Sequence, residues 1–315
     1  MSPTAALHDP VFRAYLVIVF GLLVGAGIVL ALLHFVSRVE LGGVWKTYRS
    51  WLWLAPLVAL AIFAGRVPFI AGVTAVALFA FREFGRVSGL AGDRWMCGAA
   101  GAGIVSVGMW ALIGQGLEFA ALGALLLPLV GVLRNRNASV PAGIGVSRPT
   151  ELQSLSLGLI AFVYLGWMFG HLAFLANAPS AYGCLCYLIF ATEAGDVAAF
   201  TFGKMFGRHP LRSAISPGKT WEGSLGALAL SLALPFLLRF SFPRFGTRQL
   251  ILTGLIVGVG GQLGDLALSM IKRELGAKDW SAAIPGHGGI LDRIDSLVFV
   301  APLFIEMTGY YHPGR

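Results

Sequence analysis

SMIKRELGAKDWSAAIPGHGGILDRID, residues 269–295, is a charged, glycine-containing run flanked on both sides by almost wholly apolar sequence. It holds four of the chain's fifteen acidic residues and four of its twenty-three basic ones. Hydrophobic residues make up 57% of the 315 and charged residues 12%, where ordinary soluble domains carry ~25% charge. Such a composition reads as an all-α, polytopic transmembrane helical bundle forming a single membrane domain over residues 1–315. In that setting the polar run lies between two membrane helices and needs a chemical reason.

A span requires ~20 mostly apolar residues. By that rule candidate spans fall near 14–36, 50–65, 68–81, 96–113, 117–133, 155–175, 182–202, 224–240, 250–271 and 294–310. The pair 50–65 and 68–81, split by Gly65-Arg66-Val67-Pro68, reads as two short spans or one broken one. The count is therefore nine to eleven, with ten the best value. Placing 272–293 in the cytoplasm and alternating puts 17 of the 23 Lys and Arg residues inside, as the positive-inside rule favours. Both termini then lie outside, with Arg239, Arg244 and Arg248 on the wrong side of the rule. The net charge of +8 is thus a topology signal, and no nucleic-acid partner is expected. Ala14 to Val36 is too long for a signal-peptide core. Cys97, Cys184 and Cys186 sit in apolar segments and read as packing residues.

The first half, about 1–180, offers little chemistry. Arg82, Glu83 and Arg86 read as a solvated, salt-bridged helix end. Trp51, Trp53, Trp95 and Trp110 read as interfacial anchors, and His34 and His171 as satisfied interfacial side chains. The catalytic character belongs to about 190–310.

An ionised residue inside a span costs ~2.5–3.5 kcal/mol on insertion scales, which makes each one a functional candidate. Glu193, Asp196 and Asp265 are three such residues. Glu193 and Asp196 share a helix face at i, i+3. Asp196 lies eight residues before Lys204, and Asp265 seven before Lys272. Both carboxylates should therefore sit ~10–12 Å inside their helix ends, at matching depth. Asp265 shares its face with Ser269, Lys272 and Arg273, while Asp292 and Asp295 repeat the i, i+3 spacing at the start of the last span. Carboxylates converging on a cytoplasm-facing polar cavity, with no His/Cys cluster, suit Mg²⁺, and Mg²⁺ suggests phosphate chemistry. Matching positive charge lies on two loops, with Lys204, Arg208, Arg212 and Lys219 on one and Lys272, Arg273, Lys278 and Arg293 on the other. Gly286-His287-Gly288-Gly289 can bring backbone N–H groups close to a phosphate.

Ser216-Pro217-Gly218-Lys219-Thr220 invites a P-loop reading. Ser213 occupies the position of the first required glycine, and Trp221-Glu222-Gly223 reads as the start of a span rather than a helix after a strand. The P-loop is rejected, and Lys219 is kept as a phosphate contact.

The order Ser-x-x-Lys-Arg-x4-Lys-Asp-x5-Pro-x-His-Gly-Gly-x-x-Asp-Arg-x-Asp, Ser269 to Asp295, resembles the signature of the phosphatidate cytidylyltransferases (CDP-diacylglycerol synthases) without departure. Asp196 to Arg208 resembles the family's Asp-x-x-Ala-Tyr-x-x-Gly-Lys/Arg segment, with Phe200 for Tyr. Ser216 to Gly223 resembles its Ser-Pro-x-Lys-Thr-x-x-Gly segment. The resemblance covers roughly 190–310.

It implies a nucleotidyltransferase of phospholipid biosynthesis that moves CMP from CTP to phosphatidic acid, releasing pyrophosphate. Asp265 and Asp292 are then the expected Mg²⁺ ligands, with room for a second, monovalent cation. Lys272, Arg273 and Asp279 join these two as expected catalytic residues. Expected substrate contacts are Asp196, Lys204, Ser216, Lys219, Thr220, Ser269, Lys278, His287, Gly288, Gly289, Arg293 and Asp295. A bacterial inner-membrane location in contact with the lipid bilayer and a homodimer are family-level expectations. If Asp292 shares an ion with Asp265, the 272–291 loop must fold back, starting the last helix below the membrane surface. Two rivals remain. A CTP-dependent polyprenol or phytol kinase would lack the full signature, and an ion-coupled transporter would show symmetry between halves.

Overall fold

The computed structural model describes residues 1–37, 42–114, 126–133, 150–284 and 288–311. The protein is a helical membrane protein. Among the described residues the helices are α1 (Pro3–His8), α2 (Pro10–Ser37), α3 (Gly42–Phe63), α4 (Arg66–Ser88), α5 (Arg94–Ile113) and α6 (Leu126–Leu133). They continue with α7 (Glu151–Leu175), α8 (Ala181–Phe206), α9 (Trp221–Leu237), α10 (Thr247–Glu274) and α11 (Leu291–Tyr311). Six of these, α2, α4, α5, α7, α8 and α10, are long and apolar enough to cross a membrane. Helices satisfy their own backbone polar groups, which is why apolar runs of this length adopt them in lipid.

The ambiguous 50–81 region is two helices, and both are longer than the apolar runs suggested. Lys46 and Arg49 belong to the first turns of α3, and Arg82, Glu83 and Arg86 to the last turns of α4, so a hydropathy reading trims their charged ends. Gly65 divides them with φ +102°, a conformation that side chains with a Cβ rarely take. Asp93 caps α5 through Met96 N (3.2 Å). Thr150 and Gln153 form a capping box at α7. The first part of the expected 117–133 span lies outside the described residues.

One departure from all-α is a two-stranded antiparallel hairpin, β1 (Pro210–Arg212) and β2 (Ser216–Thr220), paired through Pro210–Thr220 and Arg212–Ser216. It corrects the sequence argument at Trp221: α9 does follow directly on a strand. The P-loop stays rejected because Ser213 stands where glycine is required. His171 also departs from expectation. It is buried in α7 (1% exposed), with Nδ1 2.6 Å from Trp167 O and Nε2 without a partner. It is a core side chain, placed there by the packing of α7 against α4, α5 and α11. Cys184 and Cys186 are buried unpaired thiols.

The core runs through α4, α5, α7, α8 and α11 and is aliphatic and aromatic, with Phe84, Phe162, Tyr187 and Phe304 fully enclosed. Helix α10 contains a π-helical segment at Ile256–Gly260 immediately before the turn that carries Asp265. The extra residue per turn in such a segment rotates everything that follows, and here it accompanies the aiming of Asp265 toward α8 and α11.

Candidate active site

Helices α8, α9, α10 and α11 and strand β2 enclose a cavity of about 240 Å³. Asp196, Asp265, Asp292, Arg293 and Asp295 line it, as do Gly218, Lys219, Thr220 and Gln262. Ala199, Phe200, Ala227 and Val257 add apolar surface to the lining. One chamber thus offers acid, base and a hydrocarbon-like surface.

The carboxylates fall into two groups. Asp196, Asp265 and Asp295 lie within electrostatic range of one another, with Lys219 and Arg293 as the nearby countercharges. Close approach of α10 to α11 makes this possible. A Cβ on Gly264 would run into the carbonyl oxygen of Asp295, so glycine beside Asp265 lets the two helices touch. Lys219 Nζ is 2.5 Å from Asp265 Oδ2, and Ser269 Oγ donates to Asp265 Oδ1 at 3.0 Å. Ser296 Oγ reaches both oxygens of Asp196 at 3.4–3.5 Å. Like-charged groups this close call for cations, whether lysine, arginine or metal.

Asp292 is engaged differently. Its Oδ1 pairs with Lys272 Nζ at 2.6 Å, both side chains 11% exposed. Its Oδ2 accepts from Gly289 N (2.9 Å) and Trp280 N (3.3 Å). Asp292 therefore faces the cavity and also ties the loop 275–290 to the start of α11. Among the described loop residues, Trp280 and Ile284 are buried against the helices.

The glycine turn is explained by this packing. Gly288 has φ +81°, and a Cβ there would lie 2.8 Å from Asp292 Oδ2. Ile284 N donates to Gly288 O at 2.8 Å. The N–H of Gly289 is already given to Asp292, so the expected phosphate cradle does not have it free. His287 lies outside the described residues.

Several expected contacts have structural partners. Thr220 Oγ1 caps α9 by accepting from Gly223 N (3.2 Å), and Ser216 sits in the hairpin register. Arg273 Nε donates to Ile215 O (3.2 Å), joining the hairpin to the end of α10. Lys204, Lys278 and Asp279 are exposed outside the cavity lining. Glu193 is not in the lining either; its charged neighbours are Asp196 and Arg293.

The largest correction is Glu83. Instead of a solvated end, it is 6% exposed and accepts from Ser281 Oγ (2.5 Å), Ile290 N (3.0 Å) and Leu291 N (2.9 Å). Helical spacing to Arg82 and Arg86 pointed to the wrong partners, because the true ones lie some two hundred residues downstream. Ser281, Ser296 and Gln262 were missed as well. Gln262 Nε2 bridges Ser224 O (3.0 Å) and Gly258 O (2.8 Å). A polar residue three before Asp265, inside an apolar helix, was the available signal.

The donor set fits magnesium. Four carboxylates line one cavity, and that lining contains neither histidine nor cysteine, as a hard cation requires. Among the described residues, no three acidic, His or Cys side chains converge into a ready-made site.

Residues 45–311 match the model of the cytidylyltransferase family. The chain is 35% identical over 200 residues to a phosphatidate cytidylyltransferase of Staphylococcus haemolyticus, a segment covering 63% of this chain and 71% of that protein. It is 43% identical over 129 residues to a phosphatidate cytidylyltransferase of Haemophilus influenzae, covering 38% and 43%. It is also 34% identical over 196 residues to the uncharacterized protein YnbB of Escherichia coli K12, covering 59% of this chain and 63% of YnbB, just under two thirds. With the family model spanning most of the sequence, the chain belongs to the cytidylyltransferase family.

Proposed function

We propose that this protein transfers the CMP moiety of CTP to phosphatidic acid, forming CDP-diacylglycerol and pyrophosphate. The observation that carries this reading is the cavity itself. Asp196, Asp265, Asp292 and Asp295 share it with Lys219 and Arg293, and an apolar wall continues from them. A charged nucleotide and a lipid phosphate need such a junction of polar and apolar surface.

In the reaction, an oxygen of the phosphatidate phosphate forms a bond to the α-phosphorus of CTP, and the bond from that phosphorus to the bridging oxygen breaks. The electron pair leaves with pyrophosphate. The attacking phosphomonoester is already largely ionised at pH 7, its second pKa being ~6, so no residue is asked to act as general base. Lys219 and Arg293 neutralise phosphate charge, and the helices fix the two substrates in line. Asp265 and Asp292 would hold Mg²⁺, with Asp196 and Asp295 in support; bound there, the ion would draw charge from the triphosphate. The same reading gives about ten spans, a cavity facing the cytoplasm of a bacterial inner membrane, and a homodimer. The cytoplasmic facing is supported by the lysines and arginines concentrated on one side of the sequence-derived topology.

The test is pyrophosphate release from CTP by the purified protein, with and without phosphatidic acid and Mg²⁺. Release that requires phosphatidic acid supports the proposal. Release with phytol or diacylglycerol as acceptor, but not phosphatidic acid, overturns it.

A further inference from the structure

Glu83 lies in the N-terminal half of the chain, which carries none of the signature, yet its carboxylate reaches into the signature loop. Burying a carboxylate is costly unless hydrogen bonds replace water, and among the described residues its three donors, Ser281, Ile290 and Leu291, come from the signature segment and the start of α11. One side chain thus joins Ser281 to the start of α11, and fixing two points of the chain together lowers the entropy of the segment between them. Leu291 supplies the first amide of α11, which has no partner within its own helix, and Ile290 the amide just before it. A negative charge placed there is favourable for the helix dipole as well.

Two further contacts point to the same coupling. A Cβ on Gly289 would lie 2.6 Å from Glu83 Oε2 and 3.0 Å from its Cδ, so the chain passes over the carboxylate at a distance only glycine permits. The neighbouring residue, Phe84, packs against Trp280 in a tilted arrangement, ring centroids 5.6 Å apart, and both rings are buried. The end of α4 therefore holds the loop by a polar and an aromatic grip together. The opposite side of the loop is held by Asp292, which accepts from Trp280 N and Gly289 N.

We propose that Glu83 is a positioning residue of the nucleotide site: it clamps 281–291 and, through Gly289 and the start of α11, sets the orientation of Asp292 in the cavity. It touches no reacting atom and acts through its neighbours. The inference rests on the cytidylyltransferase reading above. It assigns the N-terminal half a part in organising the site, beyond membrane anchoring.

The experiment uses Glu83→Gln, Glu83→Ala, Ser281→Ala and Gly289→Ala in the full-length detergent-purified protein. Steady-state kinetics are measured with CTP and Mg²⁺ varied, alongside hydrogen exchange of 281–291 in the protein without substrates or metal. Glu83→Gln and Gly289→Ala are expected to lower kcat/KM for CTP at least tenfold and raise the Mg²⁺ concentration for half-maximal rate. They should also speed exchange of the Ile290 and Leu291 amides, with α8 unchanged. Ser281→Ala, which removes one donor of three, should lose about two- to fivefold. Should the Glu83 variants fail to fold, Ser281→Ala and Gly289→Ala carry the test alone. Wild-type kcat/KM, Mg²⁺ dependence and exchange in folded variants overturn the proposal. So does a fall in melting temperature with those three unchanged, since a purely structural residue would do that. If the wild-type protein itself releases no pyrophosphate with phosphatidic acid, the failure belongs to the proposed activity; hydrogen exchange still judges the clamp.

Discussion

Lys219 of β2 and Asp265 of α10 form an ion pair at 2.5 Å, each about a quarter exposed. The pair joins the hairpin to the helix bearing the expected metal ligand, at the mouth of the cavity. A partly exposed pair contributes only ~0–1 kcal/mol to stability, so its value is sought in chemistry. Lys219→Met is expected to shift the melting temperature by no more than a few degrees. It should lower kcat/KM for CTP by ~10–100-fold, or ~1.4–2.7 kcal/mol of transition-state stabilisation. Unchanged kcat/KM would remove Lys219 from the phosphate-binding set.

Lys272 and Asp292 behave oppositely, because both are nearly enclosed. Taking one partner from a buried pair costs up to ~3–5 kcal/mol. Lys272→Met should therefore lower thermal stability clearly, and trypsin should cut faster at exposed Lys278 in the loop below. Lys272→Met with Asp292→Asn should recover part of that loss, as the unpaired charge is gone. If the single variant is as stable as wild type, the pair is not an anchor.

Gly288 and Gly276 provide a matched comparison. Both have positive φ, +81° and +72°, and an added Cβ strains either by ~1–2 kcal/mol. At Gly276 it meets nothing within 4 Å, whereas at Gly288 it meets Asp292 Oδ2 at 2.8 Å. Gly276→Ala should keep turnover within about twofold, while Gly288→Ala should lose tenfold or more. Equal effects would show that backbone strain alone, and not displacement of Asp292, governs the site.

Chelation is the remaining test. EDTA should abolish pyrophosphate release and added Mg²⁺ should restore it. Asp265→Asn should need more Mg²⁺ for half-maximal rate, with a lower kcat. Normal turnover in both Asp265→Asn and Asp292→Asn would exclude these two residues as the metal pair.

Much of the helical architecture was legible because it depends on local composition. Apolar runs long enough to span a membrane must be helical, and the runs at 14–36, 155–175, 182–202 and 250–271 correspond to α2, α7, α8 and α10. The hairpin at 210–220 was not legible. Ser-Pro-Gly-Lys-Thr has no apolar alternation to announce a strand, and the pairing is held by its surroundings: Glu222 accepts from the amides of Arg208 and His209, and Arg273 bonds to Ile215 O. Asp196, Asp265, Asp292 and Asp295 stood out because charge in an apolar helix is conspicuous. Glu83 did not, since a helix end with arginines at i−1 and i+3 offers a local explanation that happens to be incorrect.

The sequence by itself determined that this chain is a helical membrane protein, that acidic residues interrupt its apolar helices at 196, 265, 292 and 295, and that Ser269–Asp295 resembles one family's signature. These follow from hydropathy, charge cost and residue order, all of which are local along the chain. Only the tertiary structure decided which partner each charge takes. Asp265 meets Lys219, Asp292 meets Lys272 and two loop amides, and Glu83 meets the start of α11. Hydrogen bonds act over about 3 Å, and nothing in a linear pattern specifies which distant groups close packing will bring that near. The run at 269–295 is therefore more than a polar link between two helices: its end lines the cavity through Asp292, Arg293 and Asp295, and its described loop residues are held by Asp292 and, from across the bundle, by Glu83.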